Sequence, residues 1–110
     1  MNTRRLLLLA RFMETKVPRK GFTMETYFHA CGSPACVLAW ATTIPSLRRA
    51  GLDGVDAVFS FRTVRDVFGI TGAQWVYLFA DSSIRTPKQA AANIRRVVAE
   101  HKAAHRKGAA

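Results

Sequence analysis

Acidic side chains are scarce in this sequence: seven Asp and Glu stand against seventeen Lys and Arg, a formal charge of +10. The seven are scattered without a paired-carboxylate pattern, so the chain has little to offer as a general acid or base. It also lacks a phosphate-binding glycine loop and a triad pattern, and a non-enzymatic role is the expectation. Cysteine is rare too. Cys31 and Cys36 are the whole complement, too few for a disulfide framework. Long apolar runs are missing. The N-terminal "MNTRRLLLLARFMETK" begins like a signal peptide, yet its apolar run covers only Leu6 to Ala10 before Arg11 interrupts it. A signal peptide needs about 7 to 15 apolar residues there, and a membrane span roughly 18 to 20. We therefore expect no membrane contact and a cytoplasmic protein whose thiols are reduced.

What is present is a chain able to fold. Hydrophobic residues make up 49% of the 110 and charged ones 22%, the balance of a globular domain with a real core. At this length one core is expected, a single helical domain over 1–106 with a frayed tail over 107–110. The excess of positive charge favours a polyanionic partner, nucleic acid before an anionic surface or an acidic protein.

Helix signals dominate and come with start markers. Thr86, Pro87 and Gln89 supply a cap, a first-turn proline and a capping box for "QAAANIRRVVAEHKAAHRK". Along that helix Ala90, Ile94, Val97, Val98 and His101 form one stripe, with Lys88, Arg95, Arg96, Lys102 and Arg106 mostly elsewhere. "TGAQWVYLFA" repeats the device with Thr71 and Gln74, and its Trp75 to Phe79 read as core. Before it, "SFRTVRDVFGI" starts at Ser60 and closes at Gly69, with Phe61, Val64, Val67 and Phe68 at helical spacing. The first helix spans Thr3 to about Lys16 and stops at Pro18. Another is expected from Ser33, with Pro34 at its first position, to Ile44 and Pro45. Residues 17–30 and 51–59 read as irregular, and "AVFSF" is the one stretch that passes for a strand. The fold class expected is all-α: a compact bundle of about five or six helices.

"YFHACGSPACVLAW", Tyr27 to Trp40, packs a histidine and two cysteines into eight residues. Three readings are open. Both cysteines can be small apolar core residues. They can ligate a metal with His29 and a fourth group from His101 or His105, although H-x-C-x4-C is not a recurrent zinc spacing. Or they form a reactive pair, Cys36 at the third helical position gaining thiolate character from the helix dipole. The first is preferred, so no metal and no cofactor is expected. A zinc-deaminase pattern is excluded, because Cys31 stands where the essential Glu belongs and the C-x-x-C pair is missing.

The order of motifs also resembles a family of small uncharacterised bacterial and phage or prophage proteins. The resemblance lies in the leucine-rich first helix, Pro18, Phe22 and Met24 in the following loop, and "CGSPACVLAWA". It continues in "FGITGAQWVYLFA" and in "TPKQAAANI", and so covers nearly the whole chain. Cys31, Gly32, Ser33 and Cys36 are its most specific part. Ala39 departs from the pattern, where glycine is usual. The resemblance implies a shared fold and no activity.

The segment from Phe61 to Pro87 has the cadence of a helix-turn-helix, but the second helix is too apolar to read base edges. Nucleic-acid contact is expected instead on an arginine-rich surface: Arg48, Arg49, Arg62, Arg65, Arg85, Lys88, Arg95 and Arg96. The alternative is an adaptor or inhibitor of phage or prophage type. It would bind a host protein, with Phe22, Tyr27 and Phe28 as exposed anchors.

Overall fold

The structure, a computed structural model, describes the backbone of residues 1–109 and the side chains of residues 1–105. The tail expected at 107–110 falls on side chains outside the described residues, and Ala110 lies outside them altogether. Seven helices and no strand are present among the described residues: α1 (Thr3–Thr15), α2 (Val37–Ala41), α3 (Pro45–Arg49), α4 (Val55–Phe59), α5 (Phe61–Phe68), α6 (Gly72–Phe79) and α7 (Pro87–Ala109). The class is all-α as expected, with more helices than five or six.

α1 forms because Asn2 caps it, accepting from the Arg5 N–H at 3.0 Å, and because Leu6, Leu9, Ala10 and Met13 recur on one side. That side lies against Ala90, Ala91, Ile94, Val97 and Val98 of α7, all buried, and no helix pair shares a larger contact. The two run antiparallel: Met13 and Val17 meet Pro87 and Lys88 at one end, and Met1 approaches His101 at the other. Each fully buried Leu or Met on this seam contributes about 1.5–3 kcal/mol of transfer free energy.

α5 and α6 close the other side through Phe68 and Phe79, whose ring centroids lie 5.6 Å apart. The C-terminal carbonyls of α5 would be orphans, but the start of α1 satisfies them. Asn2 N–H donates to Phe68 O at 2.8 Å, and Arg5 Nη1 donates to Val67 O at 2.8 Å. Gly69 ends α5 in the left-handed conformation, φ 62°. The capping boxes expected at Thr71 with Gln74, and at Thr86 with Gln89, are both formed. Two large side chains of α6, Leu78 and Phe79, are fully buried. Val76 is 55% exposed, so the apolar run Trp75 to Phe79 is only partly core.

Two expectations need correction. The helix foreseen from Ser33 begins only at Val37, because the backbone ahead of it is committed to a hairpin. Ala35 N–H donates to Tyr27 O at 3.0 Å, His29 N–H to Ser33 O at 2.9 Å, and Gly32 N–H to His29 O at 2.8 Å. The same helix stops at Ala41, where the Thr42 and Thr43 hydroxyls each donate to a carbonyl three residues back at 2.6 Å. The chain then restarts as α3 with Pro45 at its first turn. The second correction concerns 51–59. "AVFSF" is not extended: Val55–Phe59 is the short helix α4, held to the core by Val58.

Candidate nucleic-acid interface

The eight cations expected to meet a polyanion sit on α3 (Arg48, Arg49), α5 (Arg62, Arg65) and around the start and middle of α7 (Arg85, Lys88, Arg95, Arg96). All eight are exposed. No charged side chain is buried among the described residues, which form two ion pairs. Arg48 Nη2 donates to Asp53 Oδ1 at 3.1 Å, and Arg95 Nε to Glu14 Oε1 at 2.6 Å. The bond to Glu14 raises the already high pKa of Arg95.

The other six are held differently or left to solvent. Arg65 Nε donates to Ile70 O at 3.2 Å while its guanidinium lies 5.3 Å from the Phe61 ring centroid, a cation–π distance. Arg96 Nη1 donates to Tyr77 Oη at 3.4 Å, and Tyr77 Oη donates to Asn93 Oδ1 at 3.2 Å. No hydrogen bond or ion pair among the described residues joins the α3, α5 and α7 groups, so the eight form separate clusters. Arg48 and Arg49 border a shallow groove with Pro45 and Asp53.

A groove with basic residues in its lining lies where α1 ends and α7 begins. Its volume is about 420 Å³, and it is lined by Arg19, Lys88, Glu14 and Thr86 with the buried Met13, Val17 and Pro87. Arg19 lines this groove and is not among the cations singled out from the sequence. Its signal is the run "KVPRK", Lys16 to Lys20, in which Lys16, Arg19 and Lys20 are all exposed.

The cysteine motif resolves into two unlike thiols. Cys36 is the N-cap of α2 and not its third residue, and it is 3% exposed. Burial pushes its thiol up in pKa, with the Ala39 and Leu38 N–H groups opposing, so Cys36 fits the preferred core reading and not the helix-activated one. Cys31 is exposed at the hairpin turn, its Sγ 3.1 Å from Ser33 Oγ, and the Ser33 hydroxyl and N–H lower its pKa. His29 Nε2 donates to Gly21 O. Among the described residues no three His, Cys, Asp or Glu side chains are placed to hold a metal ion, so His29, Cys31 and Cys36 are not assembled as ligands. The His101 and His105 rings lie with centroids 4.1 Å apart, tilted by 55°, and desolvation followed by the His105 charge lowers the pKa of His101.

The loop aromatics are not the exposed anchors expected of them: Phe22 is buried, and Tyr27 and Phe28 are half-buried. The exposed large apolar side chains lie elsewhere, at Leu8, Val55, Phe59, Phe61 and Val76. No helix among the described residues is long and apolar enough to cross a membrane. No family model matches the chain, and neither a curated protein nor a solved structure does.

Proposed function

We propose that the protein is a non-enzymatic binder of nucleic acid or of a nucleoprotein complex, and that its exposed cations carry the contact. One observation supports this most: of the eight cations, Arg49, Arg62, Arg65, Arg85, Lys88 and Arg96 have no acidic partner within ion-pair reach among the described residues. The surface thus keeps most of its +10 charge for an external polyanion. Binding of this kind releases counterions, so it weakens steeply with salt and reads little sequence. A cytoplasmic setting, with both thiols reduced, belongs to this reading.

The test is Arg85→Ala combined with Lys88→Ala, assayed by fluorescence anisotropy on a labelled oligonucleotide. Both side chains are exposed and form no ion pair among the described residues, so thermal stability should hold. The salt slope should fall by about 0.7–0.9 per lost phosphate contact. Unchanged affinity and slope would remove this end of α7 from the interface.

A second reading is the phage- or prophage-type adaptor or inhibitor of a host protein. It is favoured by Val55, Phe59 and Phe61, which stand 51%, 62% and 41% exposed on α4 and α5 beside Arg62 and Arg65. Apolar surface next to arginine suits a protein partner as well as a nucleic acid. Phe59→Ala separates the two, because it should abolish capture of a host protein and leave salt-sensitive oligonucleotide binding intact.

A further inference from the structure

His101 and His105 stand four residues apart on α7, beyond Val98, the last buried side chain described on that helix. Such spacing puts both Cβ atoms on one face of a helix, about 5–6 Å apart. The two rings have in fact come together, with centroids 4.1 Å apart and a tilt of 55°. His105 is exposed and His101 half-buried, so neither ring is committed to the core. Of the three histidines only His29 has a hydrogen-bond partner among the described residues, which leaves the ring nitrogens of the pair available. Desolvation and the His105 charge hold the pKa of His101 below its ordinary 6.5, so at neutral pH that ring is the neutral imidazole that coordinates metals.

The donor set also selects the ion. No third His, Cys, Asp or Glu side chain joins the pair among the described residues, so water completes the coordination. Zinc sites in proteins use three or four protein ligands, more than this pair supplies. Copper(II) and nickel(II) accept imidazole nitrogens together with water in tetragonal geometry. We propose that His101 and His105 chelate one divalent ion of the copper(II) and nickel(II) class on α7. Two imidazoles at metal–nitrogen lengths of about 2.0–2.1 Å, as on zinc, have ring centres slightly farther apart than these. Small rotations about χ1 and χ2 of the two side chains supply the difference. The site departs from the expectation of no metal, uses neither cysteine, and is independent of the nucleic-acid reading.

The test is calorimetric titration of nickel(II) chloride into the full chain, with both thiols reduced, in a non-chelating buffer at neutral pH. Nickel(II) is the probe because, unlike copper(II), it does not oxidise the exposed Cys31 thiol. One ion per chain is expected, and that binding should be lost in His105→Ala. The variant keeps the fold, because His105 is exposed and alanine favours helix. Cys31→Ser should bind nickel as the unaltered protein does. In a proton–nitrogen spectrum of the histidine side chains, the paramagnetic ion should broaden His101 and His105 first and leave His29 sharp. Binding that survives in His105→Ala, binding lost in Cys31→Ser, or broadening centred on His29 would overturn the chelate and move the ion to the cysteine hairpin or elsewhere. No uptake at millimolar nickel would overturn it outright.

Discussion

Arg95 Nε donates to Glu14 Oε1 at 2.6 Å, pinning the middle of α7 to the end of α1 beside the basic groove. The pair is a surface one, with the two side chains 47% and 36% exposed, and its worth to stability is about 0–1 kcal/mol. Its larger consequence is electrostatic. Glu14→Gln releases Arg95 and takes the formal charge from +10 to +11 by removing one negative charge. Nucleic-acid affinity at low salt should rise, with a steeper salt slope, while the urea midpoint drops only slightly. A large loss of stability would show that the pair holds the seam rather than trimming the surface.

Gly69 stands where a side chain does not fit. Its φ is 62°, and an added Cβ would lie 3.1 Å from Asn2 N and from Met1 Cα, next to the bond by which Asn2 N–H caps Phe68 O. Gly69→Ala should destabilise by about 1–3 kcal/mol, from left-handed strain together with displacement of the N-terminus. Urea denaturation measures this directly, and a neutral substitution would mean that the α1–α5 junction yields easily.

The two thiols should separate cleanly by reactivity. Cys31 is exposed and its thiolate is favoured by Ser33, whereas Cys36 is buried and its thiolate is disfavoured. Iodoacetamide on the native protein should give one adduct, at Cys31, with Cys36 modified only on unfolding. Because the Cys31 pKa is lowered, its alkylation rate should rise at a lower pH than that of an ordinary exposed thiol. Ser33→Ala should move the curve to higher pH. Rapid modification of Cys36 would contradict its place in the core.

Replacing that buried sulfur tests the same point energetically. Cys36→Ser places a hydroxyl in a site 3% exposed and should destabilise by about 1–3 kcal/mol unless the hydroxyl takes over the cap of α2. Thermal melts of the two proteins decide it.

Much of this architecture was legible because its signals are local. Thr86 with Gln89, Thr71 with Gln74, and Ser60 mark helix starts within one turn, and Gly69 marks an end. The same holds for the buried stripe of α7, which follows from spacing alone. What escaped depends on partners distant in the chain. Ser33 and Pro34 carry a good start signal, yet pairing of their strand with Tyr27 to His29 overrides it and moves the helix to Val37. α4 is five residues long with one buried side chain, too little periodicity to register. Of the candidate site, the cations were visible as residues and their grouping was not. Arg19 and Lys88 line one groove only because the end of α1 lies by the start of α7, a proximity across about two thirds of the chain that no local pattern encodes.

The most direct measurement is the affinity of the intact protein for a labelled oligonucleotide across a series of salt concentrations. A polyanion-binding surface predicts submillimolar binding at low salt that falls linearly in a plot of log affinity against log salt, with a slope reporting several neutralised phosphates. Absence of binding at low salt, or an affinity indifferent to salt, would contradict it and give the exposed Phe59 surface and a protein partner first place.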